Sequence, residues 1–298
     1  MILCLIILGT TRSMLSAVLS ADDPDTFIQK ELKWREKRDE EMKAPTSWLN
    51  IAGLFWLKEG ENRFGTSGEN PIKLPKGSAP PFAGTFFLDN GTVTVTAEQG
   101  TELTIDGNSI YKSQLKGDDR GKPDVVVLNN LRMWVIKRFD QYAIRLRDLD
   151  HAPYKKYKGL DYFSPSEKYK IQAEFHAFPE PKILEVGTAV GKNTEMNSVG
   201  YVTFKIDGQT RRLEAFSGGP NALFFIFGDA TNGKETYEAS RFMTAQILEN
   251  GKVDLNFNRA VNPPCAYTPF ATCPLPPPQN QLKIRIPAGE KKYPDSHH

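Results

Sequence analysis

Tyr201-Val-Thr-Phe-Lys-Ile206 and Arg211-Arg-Leu-Glu-Ala-Phe216 are two β-rich runs, and the pair Asp207-Gly208 stands between them. Such a pair supplies the positive φ angles that a tight hairpin turn requires. The stretch therefore predicts two antiparallel strands joined by a tight hairpin turn. Four similar pairs lie beside other β-rich runs, at Asn90-Gly91, Asp106-Gly107, Asn232-Gly233 and Asn250-Gly251. Their repetition predicts a mainly β protein built from antiparallel sheets.

The length of the chain and a polar loop predict two β domains. A chain of 298 residues can form one large or two modest domains. The loop Lys116-Gly-Asp-Asp-Arg-Gly-Lys-Pro123 marks a boundary between them. Short strands with little helix between them favour sandwiches or barrels over a parallel α/β sheet. We expect a signal peptide over 1–21, an N-terminal helix over 22–47, a first β-sandwich over 48–120, a second antiparallel β-sandwich or barrel over 121–290, and a polar tail over 291–298.

The segment 23–43 has the pattern of a charged helix. Asp23 is suited to cap the helix, and Pro24 is suited to its first turn. Ile28 and Leu32 are four residues apart, so they fall on one side of the helix. We expect this apolar side to pack on the domain that follows.

The first 21 residues have the character of a secretory signal peptide. An apolar run from Met1 to Gly9 is followed by small residues that end at Ala21. No Lys or Arg precedes the run, and a mis-assigned start codon is the alternative explanation. The pattern predicts a secreted or periplasmic protein. No later stretch approaches the roughly 20 apolar residues of a membrane span.

Three cysteines are present, and Cys4 lies within the predicted signal peptide. Cys265 and Cys273 remain, and an even pair in an oxidising compartment predicts a disulfide bond. A metal site or a catalytic redox pair is a weaker alternative, because the spacing is not Cys-x-x-Cys and no His cluster accompanies it.

Charge and histidine content argue against several classes of function. Lys and Arg total 38 and Asp and Glu total 36, a net charge of +2 that predicts neither nucleic-acid nor membrane-surface binding. Asp148, Asp150 and His151 could contribute metal ligands, but a catalytic zinc site often uses two His and this cluster has one. No Gly-x-Ser-x-Gly elbow is present. We predict no metal and no cofactor, and the residues indicate no particular protein partner.

Several long, irregular motifs resemble one family. The first is Trp48-Leu-Asn-Ile-Ala-Gly-Leu-Phe-Trp-Leu-Lys-Glu-Gly-Glu-Asn-Arg-Phe-Gly65. It resembles the opening of the family known as domain of unknown function 1684 (DUF1684). The resemblance covers nearly the whole chain after the signal segment and implies no established activity. It continues through 229–237, Arg241-Phe242, 254–260, 262–277, Asn280 and 288–291.

A shorter stretch is similar to a forkhead-associated (FHA) β-sandwich. Within 57–74, Asn62-Arg-Phe64-Gly65 resembles the turn that joins two early strands of that fold. Members that bind phosphothreonine carry an Arg directly after this Gly, but Thr66 stands here. The resemblance implies an FHA-like β-sandwich without phosphopeptide binding.

The residues of greatest chemical interest lie between positions 229 and 290. Pro263 and Pro264 prevent continued strand pairing and stiffen a loop on the β scaffold, where binding residues often lie. On a functional interpretation, Arg241 and Arg259 clasp an anion. Glu290 then acts as an acid or base. The candidate ligand-binding residues are Tyr237, Arg241, Asn258, Arg259, Asn262, Tyr267, Asn280 and Glu290.

A structural interpretation explains the same residues without a ligand. Arg259 would pair with Glu290 or Asp254, and the Asn side chains would satisfy backbone groups in the loop. Two functions remain open at this point. The first is a binding or structural module for a small anionic or polar ligand. The alternative is a hydrolase-like enzyme that uses Arg241, Arg259, Tyr237 and Glu290.

Overall fold

The computed structural model describes residues 26–294 and residue 296, so the predicted signal peptide and Cys4 lie outside the described residues. Within them the protein is mainly β, as predicted. The helices are α1 (Phe27–Lys43) and α2 (Ala152–Lys155). The strands are β1 (Ile51–Trp56), β2 (Gly60–Gly65), β3 (Ile72–Lys73), β4 (Gly84–Asp89), β5 (Thr92–Ala97), β6 (Leu103–Ile105), β7 (Asn108–Ile110), β8 (Lys112–Leu115), β9 (Val126–Leu128), β10 (Leu131–Arg138), β11 (Gln141–Asp148), β12 (Lys170–Gly187), β13 (Asn193–Ile206), β14 (Gln209–Ser217), β15 (Ala222–Phe227), β16 (Arg241–Gln246) and β17 (Lys252–Asn256).

The first eleven strands form a β-sandwich. One sheet has the order β1-β11-β10-β9-β6-β7 and the other has the order β3-β2-β4-β5-β8. Their facing sides enclose one apolar core that includes Phe64, Phe86 and Leu146. The expected boundary near residue 120 falls inside this sandwich, because β9 pairs with β6 and β10 pairs with β9. The sandwich therefore extends to Asp148, and its last two strands carry the face described below.

Three of the five predicted turns form two-residue hairpins. At Asn90-Gly91, Asp106-Gly107 and Asp207-Gly208, both residues have positive φ angles. This geometry matches the right-handed twist of the flanking strands. Asn232-Gly233 differs, because it lies in the irregular segment between β15 and β16. The turn at Phe139-Asp140 has two positive φ angles without glycine, and no Asn-Gly or Asp-Gly pair predicts it.

The last six strands form a single strongly curved sheet in the order β16-β15-β14-β13-β12-β17. Its two edge strands come together at an isolated bridge between Ile247 and Val253, which nearly closes the sheet into a barrel. Phe225, Phe227 and Leu255 lie in the enclosed core. Leu282, Ile284 and Ile286 alternate with polar residues, a pattern that predicts a strand, but residues 282–286 do not form one. They form an irregular segment whose Leu282 N–H donates to the carbonyl of Gly228 at 2.7 Å.

The β12–β13 hairpin connects the barrel to the sandwich. Beside its turn, the N–H of Ala189 donates to the carbonyl of Cys273 at 2.8 Å. Lys192 Nζ donates to Gln141 Oε1 of the sandwich at 2.6 Å. We name the irregular segment that follows β17 the C-terminal loop. Its Thr268 hydroxyl donates to the carbonyl of Ile51 at 3.0 Å. The C-terminal loop therefore contacts both β units.

Helix α1 attaches by its polar side, which corrects the expectation from its sequence. Thr26, not Asp23, caps it, because its side chain accepts from the N–H of Gln29 at 3.2 Å. Ile28 is 52% exposed and Leu32 is 39% exposed, whereas the carboxylate-bearing Glu31 is buried. Ion pairs with the barrel, described below, hold the helix in place. Among the described residues, no helix has the length and apolar character needed to cross a bilayer.

Candidate functional site

Arg259 is paired with the N-terminal helix and with neither carboxylate expected from the sequence. Its Nε lies 3.0 Å from Glu31 Oε2 and its Nη2 lies 3.1 Å from Glu31 Oε1, which gives a bidentate ion pair. Asn256 Nδ2 donates to the same Oε1 at 2.9 Å. The partner stands 228 residues earlier in the chain. Asp254 instead lies 3.8 Å from Lys170 Nζ.

Glu290 forms the second contact between α1 and the barrel. Arg38 Nε donates to its Oε1 at 3.0 Å. Its Oε2 accepts from the N–H of Asn262 at 2.7 Å, from Asn262 Nδ2 at 3.0 Å and from the Tyr267 hydroxyl at 2.9 Å. The Glu290 side chain is fully enclosed. Burial, followed by the charge of Glu290, raises the pKa of Tyr267. We name Glu31, Arg38, Arg259 and Glu290 the helix–barrel ionic network.

Arg241 lies in a separate buried ion pair. Its Nη1 lies 2.8 Å from Asp229 Oδ2 and 2.9 Å from the carbonyl oxygen of Ile286, and its Nη2 donates to the carbonyl of Ala288. Burial lowers the pKa of Arg241, and Asp229 opposes this shift. Gly289 is required beside it, because its φ is +79° and a Cβ would lie 2.4 Å from the carbonyl oxygen of Ala260.

Two of the candidate asparagines satisfy backbone groups, as the structural interpretation predicts. Asn258 exchanges two hydrogen bonds of 2.9 Å with the backbone N–H and C=O of Ser166. Asn280 accepts from the N–H of Glu214 at 2.6 Å and donates to the carbonyls of Glu214 at 3.0 Å and Ile226 at 2.8 Å. Strands β14 and β15 pair only at Phe216 and Ser217, so the amide of Asn280 bridges them where they separate.

The candidate residues thus divide into several groups. Asn262, Tyr267 and Glu290 form one hydrogen-bonded cluster, and Arg259 binds α1 nearby. Arg241 and Asn280 have their own protein partners. Both arginines expected to clasp an anion hold protein carboxylates instead, which favours a structural role for them. Their use by a ligand stays a prediction.

The two late cysteines are free buried thiols, which corrects the expected disulfide. The backbone N–H of Cys265 donates to Cys273 Sγ at 3.2 Å. A hydrogen bond between the two thiols lowers the pKa of Cys265, burial acts in the opposite sense, and the Tyr237 hydroxyl adds a further lowering. The same thiol–thiol hydrogen bond and burial raise the pKa of Cys273. The sulfurs are adjacent without being bonded.

An unexpected concentration of positive charge lies on the outer face of the sandwich. Leu131, Met133, Ile144 and Leu146 face its core, so the residues between them face away from the core. Arg145 stands opposite Trp134, and Arg147 stands opposite Arg132. We name Arg132, Arg138, Arg145 and Arg147 the arginine face. Among the described residues, only one carboxylate pairs with it, that of Asp118, which lies 2.8 Å from Arg138 Nη2.

Arg145 is the most enclosed member of this face. It is 5% exposed, and its Nε is buried without a hydrogen-bond partner among the described residues. Its guanidinium carbon lies 5.1 Å from the ring centroid of Trp48. Burial, followed by the charge of Arg138, lowers the pKa of Arg145 to about 10. The charge of Asp118 acts in the opposite direction, but that carboxylate already holds Arg138.

The arginine face is absent from the sequence-based candidates, although the sequence contains a signal for it. Arg145 and Arg147 are two residues apart in a strand, so they share one face. Arg132 and Arg138 are an even number of positions apart in the preceding strand, so they also share one face. The pattern became informative only after the pairing of β10 with β11 placed the four side chains together.

The fold and these contacts define a mainly β protein in which a sandwich and a barrel are tied together by an N-terminal helix and a C-terminal loop. A family model described as "Protein of unknown function (DUF1684)" matches residues 155–291. The chain belongs to this family, as its motifs predict. No curated protein matches it.

Two solved structures illustrate its similarity to other proteins. An uncharacterized protein of Haloarcula marismortui, solved by solution NMR, is 30% identical with a TM-score of 0.39, over 47% of this chain and 80% of that one. The FhaA FHA domain is 16% identical with a TM-score of 0.23, over 32% of this chain and 97% of that one.

Proposed function

We propose that this protein is a binding module for a small molecule that carries an oxyanion group, either a phosphate or a carboxylate. Arg145 is the anchor of the site, and Arg138 and Arg147 flank it. The observation that carries the proposal is the burial of the Arg145 guanidinium without a carboxylate partner among the described residues.

The charge balance of the arginine face supports this function. Burying an ion costs several kcal/mol unless an opposite charge compensates it. Like charges that face each other across two strands, as Arg132 and Arg147 do, are also destabilising. A bound oxyanion offsets both costs, because the planar guanidinium can donate two parallel hydrogen bonds to a phosphate or carboxylate.

The arginine face suits this role better than the candidates from the sequence. A ligand at Arg259 has to displace Glu31, and a ligand at Arg241 has to displace Asp229. No comparable displacement is needed at Arg145. The hydrolase-like alternative lacks support, because the enclosed Glu290 accepts hydrogen bonds from protein groups on both of its oxygens.

Phosphate binding to an Arg145→Met variant tests the proposal. Methionine keeps an unbranched side chain of similar reach and removes the buried charge, so the variant is expected to fold. Arg63→Met is the matched control, because Arg63 lies on an exposed face of the other sheet. The measurement is the melting temperature in inorganic phosphate, and separately in acetate, against chloride at equal ionic strength.

We expect phosphate or acetate to raise the melting temperature of the wild type and of Arg63→Met. At about 100 times the dissociation constant, the stabilisation should reach about 2.7 kcal/mol. Arg145→Met should lose this response. A wild type that responds to phosphate and acetate only as it does to chloride, or an Arg145→Met variant that still responds fully, contradicts the proposal.

We also propose that the protein is exported and that its signal peptide is cleaved after Ser20 or Ala21. The support is the apolar segment from Met1 to Gly9 followed by small residues up to Ala21. The mass of the intact protein recovered from the producing cell and from its exterior tests this. A mature chain beginning at Ala21 or Asp22 is expected, and recovery of only the full-length chain inside the cell contradicts export.

A further inference from the structure

The arginine face carries more positive charge than one monovalent anion neutralises. Its four guanidinium groups have one carboxylate partner among the described residues, that of Asp118, which holds Arg138. Burial lowers the pKa of Arg145, and the charges of Arg138 and Arg147 act in the same direction. Burial and then the charge of Arg132 lower the pKa of Arg147. The guanidinium groups therefore repel one another, and a single anion at Arg145 leaves the repulsion between Arg132 and Arg147 in place.

The four arginines divide into two pairs. Arg147 stands directly opposite Arg132 across the β10–β11 pair, so their Cβ atoms are about 5 Å apart. Arg138 has a larger electrostatic effect on Arg145 than Arg147 has. Arg145 and Arg147 are two positions apart in β11, so their Cα atoms are about 7 Å apart. We name Arg145 with Arg138 the first subsite and Arg147 with Arg132 the second subsite.

The second subsite is open to solvent and its charge is not neutralised. Arg132 and Arg147 are half-buried. Arg147 Nη2 donates to the carbonyl of Thr46 at 2.8 Å, and Arg132 Nη1 donates to the carbonyls of Asn129 and Leu131, each at 2.8 Å. A carbonyl oxygen satisfies an N–H group but carries no net charge. Both guanidinium groups therefore keep their charge available for an anion.

Tryptophan rings hold one guanidinium of each subsite. The guanidinium carbon of Arg147 lies 5.0 Å from the ring centroid of Trp134, and that of Arg145 lies 5.1 Å from the ring centroid of Trp48. A cation–π contact attracts the guanidinium without cancelling its charge. The two groups are therefore positioned before a ligand binds, which reduces the entropy lost on binding.

We propose that the ligand of the arginine face carries two oxyanion groups, one bound at the first subsite and the other at the second. This inference rests on the proposed anion-binding function and names its class of ligand, a dicarboxylate or a compound with two phosphates. Once the first group is bound, the second binds from a high local concentration, which strengthens the affinity of the whole ligand. It also offsets the repulsion between Arg132 and Arg147.

Succinate and its monomethyl ester test the inference, because they share a four-carbon chain and differ by one carboxylate. Each is titrated calorimetrically into the full chain at neutral pH, where free carboxylates are ionised, and at an ionic strength held constant with chloride. The wild type should bind succinate at least about tenfold more tightly than the ester. A face with one subsite gives mainly the statistical factor of about two, since succinate offers two equivalent carboxylates.

The double variant Arg132→Met with Arg147→Met removes the second subsite. It is expected to fold, because it removes two like charges that face each other and keeps unbranched side chains beside Trp134. Its preference for succinate should fall to about twofold, because succinate loses far more affinity than the ester does. Arg63→Met is again the control and should keep the full preference. If the double variant does not fold, Arg132→Met alone should lower the same preference.

A parallel titration with pyrophosphate and inorganic phosphate distinguishes the two kinds of oxyanion. A preference of at least about tenfold within either pair of probes supports the inference and shows which oxyanion the face accepts. Binding of single anions without a preference in either pair overturns the inference and leaves the proposed function standing. A preference that persists in the variants without the second subsite also overturns it. Absence of binding by all four probes overturns the proposed function and the inference together.

Discussion

At the residue scale, Glu31 and Arg259 form the contact on which the position of α1 most depends. Glu31→Gln leaves the Arg259 guanidinium without its bidentate partner. The Arg259 side chain is 37% exposed, so solvent reduces the penalty. We expect a loss of about 2 to 3 kcal/mol in the free energy of unfolding, measured in urea.

Glu36→Gln is the matched control, because Glu36 is exposed on the same helix. It should change stability by less than about 0.5 kcal/mol. In the double variant Glu31→Gln with Arg259→Met, part of the loss should return, since no unpaired charge remains. Equal stabilities for Glu31→Gln and Glu36→Gln would contradict the role assigned to this ion pair.

Residue-level prediction succeeded for the chemical type of partner and failed for its identity. The sequence indicated that a carboxylate neutralises Arg259 and that Asn side chains satisfy loop backbone groups, and Asn258 and Asn280 confirm the second point. The choice of Glu31 could not be predicted. An ion pair can join residues at any separation in the sequence. Only folding brings Glu31 and Arg259, which are 228 positions apart, together.

At the element scale, the side chain of Asn280 holds β14 to β15. Asn280→Ala removes three hydrogen bonds to buried backbone groups and leaves those groups unsatisfied. We expect a loss of about 2 to 4 kcal/mol in the free energy of unfolding. Asn197→Ala, at an exposed position of β13, is the control. The idea fails if both variants unfold at the same urea concentration.

The contact between α1 and the loop after α2 should respond to acid. The hydroxyl of Tyr157 donates to Asp39 Oδ1 at 2.6 Å, and Lys43 also contacts Asp39. Burial raises the pKa of Asp39, but the hydrogen bonds from Lys43 and Tyr157 outweigh it, so the net shift is downward. The folded state therefore keeps Asp39 charged at lower pH than the unfolded chain does.

The stabilisation from Asp39 is complete above the pKa of an ordinary aspartate, about 3.9, and is lost as pH falls through the lower folded-state pKa. As the pH is lowered from about 5 to about 3, the free energy of unfolding measured in urea should fall more steeply for the wild type than for Asp39→Asn. Glu40→Gln, exposed on the same helix, should follow the wild type. Parallel pH profiles for the wild type and Asp39→Asn would refute the contact.

Local turn chemistry predicted the elements better than apolar patterning did. Asn90-Gly91, Asp106-Gly107 and Asp207-Gly208 fix hairpins because their φ angles are nearly independent of the rest of the fold. The apolar pattern of α1 predicted that the side with Ile28 and Leu32 would pack on the following domain. This was wrong, because ion pairs with the barrel determine the orientation of the helix. The segment 282–286 is irregular although its Ile286 is buried, because burial alone does not specify a strand.

At the scale of the whole molecule, the contacts between sandwich, barrel and α1 predict one cooperative unfolding transition. The helix–barrel ionic network and the C-terminal loop each join parts that are distant in sequence. Differential scanning calorimetry should give one peak with equal calorimetric and van't Hoff enthalpies. In Glu31→Gln, this single peak should move to lower temperature. Two separated peaks, of which Glu31→Gln moves one, would show that the β units unfold independently.

The two-unit β architecture was predictable from turns and strand spacing, but the extent of each unit was not. The polar loop before β9 has the composition of a linker, yet β9, β10 and β11 return to the first sheet. Sheet order depends on pairing between distant strands, which short-range composition does not encode. The arginine face was hidden for the same reason, because it exists only across paired strands.

The docking of α1 on the barrel has a consequence for the order in which the newly made chain acquires its structure. Glu31 and Arg38 are made early, whereas Arg259 stands 228 residues after Glu31 and Glu290 stands 252 residues after Arg38. At about 5 to 20 residues per second, the helix waits more than ten seconds for its partners. Docking of the helix on the barrel therefore cannot begin until the segment that carries Arg259 and Glu290 has been made.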